Sequence, residues 1–342
     1  MFPLTTTHLR FVCEALTPLR LEIETYRAGQ NLRGALGAVM LRAYCAGNAN
    51  DPAHAATCPV HWLLAANEKP GQERRGYTLV PPIPRRNDSP GAGDVPPGRL
   101  YEPGERFEFG ITLFGDALKF LPYFVLAVPE MGRAGVGVGR GKFALKSVWA
   151  ENPFTREREC LLAEGDNLVH TPTLTLTHAE VERIANDKWR IEDDASETEN
   201  RELKIAVRFV TPTRLIEEGD LAKAPAFEVL FARLLKRVDD LAEEYSGGNG
   251  RPREEIVALE QLAARVRLVE AQTRWVEVWS GSQRRGARSP LSGIVGRAVY
   301  AAEREVWRAL LPWLLWGQLV QVGKSAVKGN GMIQVGRMKA EG

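Results

Sequence analysis

A chain of 342 residues, of which 44% are hydrophobic and 26% charged, has the length of about two domains and the composition of a folded globular protein. Four cysteines are too few for the dense disulfide framework of a secreted protein, and the opening residues lack the basic and apolar regions of a signal peptide. The longest apolar stretches fall short of the roughly 20 residues of a spanning helix, so we expect a cytoplasmic protein that makes no use of a membrane.

The first half of the chain predicts a small domain of strands and helices over residues 1–150. Residues 8–14 (HLRFVCE) alternate apolar and polar side chains as a half-buried strand does, and residues 31–44 repeat apolar side chains at helical spacing. A loop-rich insertion, dense in proline and glycine, follows over about residues 45–104. A strand, a helix and a further strand then complete the order β, α, β, α, β, which is typical of the ferredoxin-like plan.

An acidic segment, residues 151–202, is expected to connect this domain to a second one over residues 203–342. The segment carries 14 acidic and 6 basic side chains, whereas residues 281–342 carry 10 basic and 3 acidic ones. A polyanion would therefore prefer the C-terminal segment, and a solvated basic face is the alternative interpretation.

The second half repeats features of the first in the same order, which suggests duplication. FVTPTRLIE (209–217) resembles ALTPLRLE (15–22), and we expect Pro18 and Pro212 to end the strands that they follow, since proline cannot donate to a sheet ladder. The remaining elements predicted in this half are helices at 226–244 and 254–270, strands at 273–280 and 291–301, and a final helix and strand. The sequence thus predicts an α+β protein of tandem ferredoxin-like (RRM-like) domains with glycine-rich loops.

A glycine-rich loop follows the last helix of each half. Glycine lets a backbone approach a ligand and turn its N–H groups outward, and neighbouring cations attract phosphates. Neither loop is a nucleotide-binding P-loop, because the glycine expected five residues before each GK pair is absent, and a tight turn is the alternative. The RNA-binding residues predicted here are Arg133, Gly137, Gly139, Arg140 and Lys142 in the first loop and Lys328 in the second.

A basic turn, SGSQRRGARSPLSG (280–293), links two strand-like segments of the second half. Arg284, Arg285 and Arg288 stand among small residues, which allow close approach to an RNA backbone. We predict that this hairpin binds phosphates, with a solvated basic loop as the alternative.

Four stretches resemble a known family: LRGALGAVMLRA, YEPGERFEFGITLFGDALKFLPYFVLAVPEMGRAGVGVGRGKFAL, RFVTPTRL, and WSGSQRRGARSPLSGIVG with VGKSAVKGNG. The chain is similar to the CRISPR precursor-RNA-processing endoribonucleases of the repeat-associated mysterious protein superfamily. The resemblance implies a CRISPR repeat RNA as partner, with a CRISPR effector complex as a second partner. A catalytically inactive RNA-binding subunit of such a complex is the alternative function, and a protein-interaction module is a third.

The same resemblance implies cleavage without a metal ion or other cofactor. In this reaction the ribose 2′-hydroxyl attacks the adjacent phosphate and leaves 2′,3′-cyclic phosphate and 5′-hydroxyl ends. The family's catalytic histidine usually lies on or just after the first helix, where this sequence has none. His54 and His61, which follow in the insertion, are therefore the predicted acid and base, with Tyr44 to orient or donate and Lys324 to stabilise the phosphorane.

A metal site competes for the same histidines. Cys45, His54, Cys58 and His61 form the pattern C-x8-H-x3-C-x2-H, two soft and two imidazole ligands that suit zinc, although the spacing matches no standard finger. If zinc binds both histidines, neither can transfer protons.

Overall fold

The computed structural model describes residues 2–22, 26–45, 47, 51–64, 68–69, 72–73, 75–83, 100–189, 202–217, 219–248, 250–281 and 288–337. The chain divides into two compact units. The first unit comprises Thr6–Thr175 with Val327–Gly329, and the second comprises Met1–Thr5, Leu176–Ala326 and Asn330–Gly342. Each unit therefore includes a short segment from the opposite end of the sequence.

The first unit contains four helices and nine strands among its described residues. In chain order these are β1 (Thr6–Ala15), β2 (Leu19–Arg20), α1 (Ala28–Tyr44), α2 (Pro52–Thr57), α3 (Pro59–Leu64), β3 (Glu68–Lys69), β4 (Gln72–Glu73), β5 (Tyr77–Val80), β6 (Leu100–Tyr101), β7 (Arg106–Phe114), α4 (Leu121–Ala134), β8 (Phe143–Glu151) and β9 (Arg158–Leu162).

The main sheet of this unit has the strand order β5-β7-β1-β8-β9, and all neighbours are antiparallel. Its first four strands, with α1 after β1 and α4 after β7, have the ferredoxin-like connection, and β9 extends the edge. Alternate residues of β1, such as Leu9 and Phe11, are buried in one core with Leu32 of α1 and Phe124 of α4. The predicted β1 strand and α1 helix are thereby confirmed.

The second unit contains four helices and eight strands among its described residues. In chain order these are α5 (His178–Trp189), β10 (Leu203–Thr213), β11 (Leu215–Glu217), β12 (Asp220–Ala222), α6 (Phe227–Tyr245), α7 (Arg253–Ala263), β13 (Arg267–Val276), β14 (Trp279–Gly281), β15 (Arg288–Pro290), β16 (Gly293–Ala302), α8 (Arg304–Val320) and β17 (Ile333–Arg337).

The sheet of the second unit has the order β13-β16-β10-β17, again antiparallel throughout. With α6 after β10 and α8 after β16, it has the same connection as the first unit, so the prediction of tandem ferredoxin-like domains is confirmed. Trp307 and Trp316 of α8 are fully buried in its core. Among the described residues, no helix is both long and apolar enough to cross a membrane.

Two sequence predictions in the second unit are wrong in detail. Pro212 does not end its strand: β10 continues to Thr213, because a register shift between Phe209 and Thr213 accommodates the proline. The helix predicted over 254–270 ends at Ala263, because the residues from Arg267 onward pair with β16.

The predicted insertion (about residues 45–104) and the predicted connecting segment (151–202) also contain strands and helices. The insertion includes β5, the second strand of the ferredoxin-like order, which the sequence pattern did not reveal. Within residues 151–202, β9 pairs with β8 in the first unit and α5 packs on α8 in the second.

Candidate functional site

The first glycine-rich loop, residues 135–142, joins α4 to β8 and lies against the connection from β1 to α1. The Val138 amide donates to the Arg20 carbonyl at 3.2 Å, and the Lys142 amide donates to the Thr17 hydroxyl at 2.8 Å. The Val136 amide donates to the Gly141 carbonyl at 2.9 Å. Several N–H groups expected to face a ligand are therefore bonded within the protein.

Two glycines of this loop have different surroundings. Gly137 has φ +72°, and a Cβ atom there would lie 3.0 Å from the Arg20 carbonyl carbon, so close backbone packing requires glycine. Gly139 has φ +80°, but a Cβ atom there would meet nothing within 4 Å. Gly139 therefore forms the open tip of the loop, whereas Gly137 anchors it.

The cationic side chains of the loop are exposed to solvent. Arg140 adopts a left-handed conformation (φ +52°) directly after the tip, and Lys142 follows two residues later. Arg133, in the last turn of α4, forms an exposed ion pair with Glu130. An RNA phosphate would thus meet side-chain charge at Arg140 and Lys142 before it met backbone amides.

The second glycine-rich loop, between α8 and β17, is largely buried. A Cβ atom on Gly323 would lie 3.1 Å from the Arg214 carbonyl carbon, and one on Gly331 would lie 2.8 Å from the Val322 carbonyl carbon. These glycines permit close packing of backbone segments. Lys324 is the exposed residue between them, and its amide lies 3.4 Å from the Arg214 carbonyl oxygen.

Residues 327–329, which follow Lys324 in the chain, pack in the first unit at the start of α1. A Cβ atom on Gly29, in the first turn of that helix, would lie 2.8 Å from the Lys328 carbonyl carbon. A Cβ atom on Gly329 would lie 2.7 Å from Cδ of Pro81. The Lys328 backbone and the 135–142 loop therefore both lie where the chain enters α1.

The predicted cysteine and histidine ligands form one cluster at the other end of α1. The ligand atoms of Cys45, His54, Cys58 and His61 all lie within 4.8 Å of one another. Cys45 Sγ lies 3.2 Å from His54 Nε2 and 3.8 Å from His61 Nδ1. Because α1 rises about 1.5 Å per residue, Gly29 and Cys45 are roughly 24 Å apart along its axis.

Tyr44, the last residue of α1, packs edge-on against Tyr123 with ring centroids 5.8 Å apart. Burial raises the pKa of its phenol, the charge of Glu130 raises it further, and Arg133 lowers it. Tyr44 is therefore protonated at neutral pH and suits a proton donor better than a base.

The remaining histidines occupy structural positions or open loops. His8 lies in β1 with its Nδ1 2.9 Å from the Thr112 hydroxyl, and burial followed by the Arg10 charge lowers its pKa to about 4. The His178 ring stacks on Trp313 and accepts a hydrogen bond from Trp316 Nε1 at 3.0 Å. His170 is exposed after β9.

The basic turn forms the predicted hairpin at its base, where β14 and β15 pair Gly281 with Arg288. Arg284 and Arg285 lie outside the described residues. Their role in RNA binding stays a prediction.

Comparison with known proteins gives two family models and a set of similar structures. One model, described only as an N-terminal domain, matches residues 4–174, and the model of the CRISPR-associated endoribonuclease Cas6 matches residues 207–333. No curated protein matches the chain.

Three solved structures illustrate the similarity of fold. A product complex of Cas6 is 16% identical with a TM-score of 0.55, covering 96% of this chain and 99% of that chain. Thermus thermophilus Cas6 is 16% identical with a TM-score of 0.53, covering 97% and 98%. A partial Cas6-RT-Cas1–Cas2 complex is 12% identical with a TM-score of 0.59, covering 99% of this chain and 47% of that one.

At these identities the solved structures show a shared fold, which agrees with the strand orders found in both units. Over residues 207–333, which make up most of the second unit, the chain matches the CRISPR-associated Cas6 endoribonuclease family.

Proposed function

We propose that this protein binds CRISPR repeat RNA and cleaves precursor transcripts into guide RNAs. The observation that carries the proposal is the match of the Cas6 endoribonuclease model to the second unit, together with the tandem ferredoxin-like fold. The product complex of a Cas6 with this fold supports an RNA-processing role. A CRISPR effector complex is the partner expected to receive the guide RNA.

The proposed contacts to RNA begin at the exposed tip of the first loop. Arg140 and Lys142 provide phosphate-binding charge there, and Gly139 permits close approach. Lys328 at the start of α1 adds a third cation on the same unit, because its backbone packs on Gly29. Further proposed contacts are Arg133, Gly137, Lys324, Arg284, Arg285 and Arg288. Because such contacts release counterions, RNA affinity should fall steeply with salt.

The proposed chemistry is transesterification within the RNA, with no metal ion in the catalytic step. The 2′-oxygen forms a bond to the adjacent phosphorus, its proton passes to a base, and the P–O5′ bond breaks while an acid protonates the leaving oxygen. Tyr44 is proposed as the acid, since a phenol is protonated at neutral pH. Lys324 is proposed to stabilise the phosphorane. His54 and His61 have the chemistry of a base, but both point their nitrogen atoms at the Cys45 thiol.

A catalytically inactive RNA-binding subunit is the second candidate function. Within the described part of the chain, no histidine lies on the 135–142 loop or on the first turn of α1. That observation favours a protein whose 135–142 loop and α1 entrance bind RNA without cleaving it.

The experiment incubates full-length protein with repeat RNA. The control is the same RNA with one 2′-deoxynucleotide at the cleavage position. In excess chelator, we expect unmodified RNA to give 5′-hydroxyl and 2′,3′-cyclic phosphate ends and the deoxy RNA to stay intact. Cleavage of the deoxy RNA would contradict 2′-hydroxyl attack. Tight, salt-sensitive binding without cleavage would establish the inactive subunit instead. Weak binding indifferent to sequence would point to the third alternative, a protein-interaction module.

Variants separate the roles of the proposed groups. Tyr44→Phe should slow cleavage strongly while RNA binding stays near normal, because only the donated proton is lost. Lys324→Ala should slow cleavage by a smaller factor. If both variants cleave at the rate of the unaltered protein, the catalytic assignment is wrong while the RNA-binding proposal stands.

A further inference from the structure

We propose that Cys45, His54, Cys58 and His61 bind a structural Zn²⁺ ion that fixes the insertion to the end of α1. The inference rests on the geometry of these four side chains, and of its tests only the comparison of cleavage rates rests on the proposed function. Cys45 directly follows α1, His54 and Cys58 lie in and after α2, and His61 lies in α3. One ion would therefore join three helices.

The spacing of the four donors fits tetrahedral coordination. Zn–S bonds of about 2.3 Å and Zn–N bonds of about 2.0–2.1 Å place neighbouring donors roughly 3.3–3.8 Å apart. The Cys45 sulfur lies 3.2 Å from one imidazole nitrogen and 3.8 Å from the other, and no pair of ligand atoms is more than 4.8 Å apart. Side-chain shifts of about 1 Å or less would complete the tetrahedron.

The surroundings of the cluster favour a structural over a catalytic ion. Cys58 is 7% and His61 is 6% exposed, and Cys58 belongs to the hydrophobic core that contains Val60, Leu63 and Leu64. Four protein ligands leave no coordination position for water or substrate. Among the common divalent ions, zinc is the one that suits a site of two thiolates and two imidazoles.

Such a cross-link would also stabilise the local fold. The helices α2 and α3 have six residues each, which is too short for a helix to persist in water unaided. Asp51 caps α2 through the Ala53 amide, and Trp62 of α3 packs on Phe120 with ring centroids 4.8 Å apart. The metal would add a connection from both helices to α1.

A rival interpretation makes Cys45 and His54 a thiol–imidazole pair that acts as a nucleophile. Such a pair needs two groups and an open face. Here a second thiol and a second imidazole, both buried, converge on the same point, and the two imidazole rings stand at 85° to each other with centroids 5.4 Å apart. Four convergent donors are explained by a shared ion and remain unexplained by a pair.

Zinc binding would remove both histidines from acid–base chemistry, because each imidazole donates its lone pair to the metal. The cysteine and histidine variants should then behave alike. If His54 were instead the general base, His54→Ala would abolish cleavage while Cys45→Ser would leave it nearly unchanged.

The test measures metal content in full-length protein by elemental analysis. Cys45→Ser and His54→Ala, at half-buried positions, should lose the zinc, lower the melting temperature by several degrees, and slow cleavage to the same extent. Cys160→Ser is the matched control, since Cys160 is a half-buried free cysteine in β9, and it should keep zinc at the level of the unaltered protein.

A metal-exchange measurement decides the question even if a variant fails to fold. Unaltered protein stripped of zinc and refilled with Co²⁺ should show the intense visible bands of a tetrahedral site and the near-ultraviolet bands of thiolate-to-cobalt charge transfer. Protein that contains no zinc and binds neither Zn²⁺ nor Co²⁺ would overturn the proposal. Zinc retained in full by folded Cys45→Ser would overturn it as well.

Discussion

The contact between Gly29 and Lys328 can be tested by adding a single methyl group to α1. Alanine is favoured over glycine in a helix by up to about 1 kcal/mol. At Gly29, however, the new Cβ would lie 2.8 Å from the Lys328 carbonyl carbon, where ordinary contact is 3.4–4 Å. Because the Lys328 carbonyl oxygen lies closer still, the two backbones must separate by roughly 1 Å or more, and overpacking of this kind costs about 1–3 kcal/mol.

Gly34 provides the matched control because it lies in the same helix and a Cβ there would meet nothing within 4 Å. In urea unfolding followed by tryptophan fluorescence, we expect Gly34→Ala to raise the free energy of unfolding and Gly29→Ala to lower it. The two variants should differ by about 1–3 kcal/mol. Gly29→Ala should also weaken repeat RNA binding, because it displaces Lys328. Equal stabilisation by both substitutions would refute the packing of Lys328 on α1.

Three further predictions concern the loop and the first sheet. Arg140→Asn should weaken RNA binding and reduce the slope of log K against log salt by about 1. The control is Arg156→Asn, which is also left-handed (φ +66°) but lies in the turn at the far end of β8, and it should change neither quantity. Equal effects of the two substitutions would exclude the loop as the binding site. Gly137→Ala should lower the melting temperature more than Gly139→Ala, since both have positive φ but only Gly137 faces a nearby carbonyl. If the loop tip at Gly139 were packed instead, calorimetry would show the reverse order. The pKa of His8 is lowered from 6.5 to about 4, so between these pH values the unfolded chain binds a proton that the folded protein does not. The free energy of unfolding should therefore fall by up to about 3 kcal/mol as the pH is lowered from 6.5 to 4. His8→Gln should flatten that part of the pH profile.

The elements of long and regular pattern could be predicted from the sequence. Alternation in β1 places Leu9, Phe11 and Cys13 on one face, and all three are fully buried. Helical spacing in α1 likewise identifies Leu32 and Leu36 as core residues. In both elements the side chains that meet the core are set by local periodicity.

Short or ambiguous segments could not be predicted in this way. Tyr77–Val80 is a four-residue strand inside a proline-rich insertion, too short to show a period. Leu262, Val266 and Val269 keep helical spacing past the end of α7, but pairing with β16 turns the chain into a strand at Arg267. Tertiary pairing overrides local preference there.

The candidate sites depend on distances that no local pattern contains. From the sequence alone, His54 and His61 are equally compatible with acid–base chemistry and with zinc binding. Only their position beside Cys45 and Cys58 in the structure favours the metal. Lys328 lies 299 residues beyond Gly29 in the chain, so its packing at the start of α1 has no sequence signal.

The inclusion of Val327–Gly329 in the first unit has a consequence for biosynthesis. A ribosome that has just completed Thr175 has made almost all of that unit but not its last piece, which arrives after a further roughly 8–30 s at 5–20 residues per second. Until then Gly29 and Pro81 lack Lys328 and Gly329, the residues that pack on them in the folded protein. Native packing at the entrance to α1 is therefore completed only after most of the second unit has been synthesised.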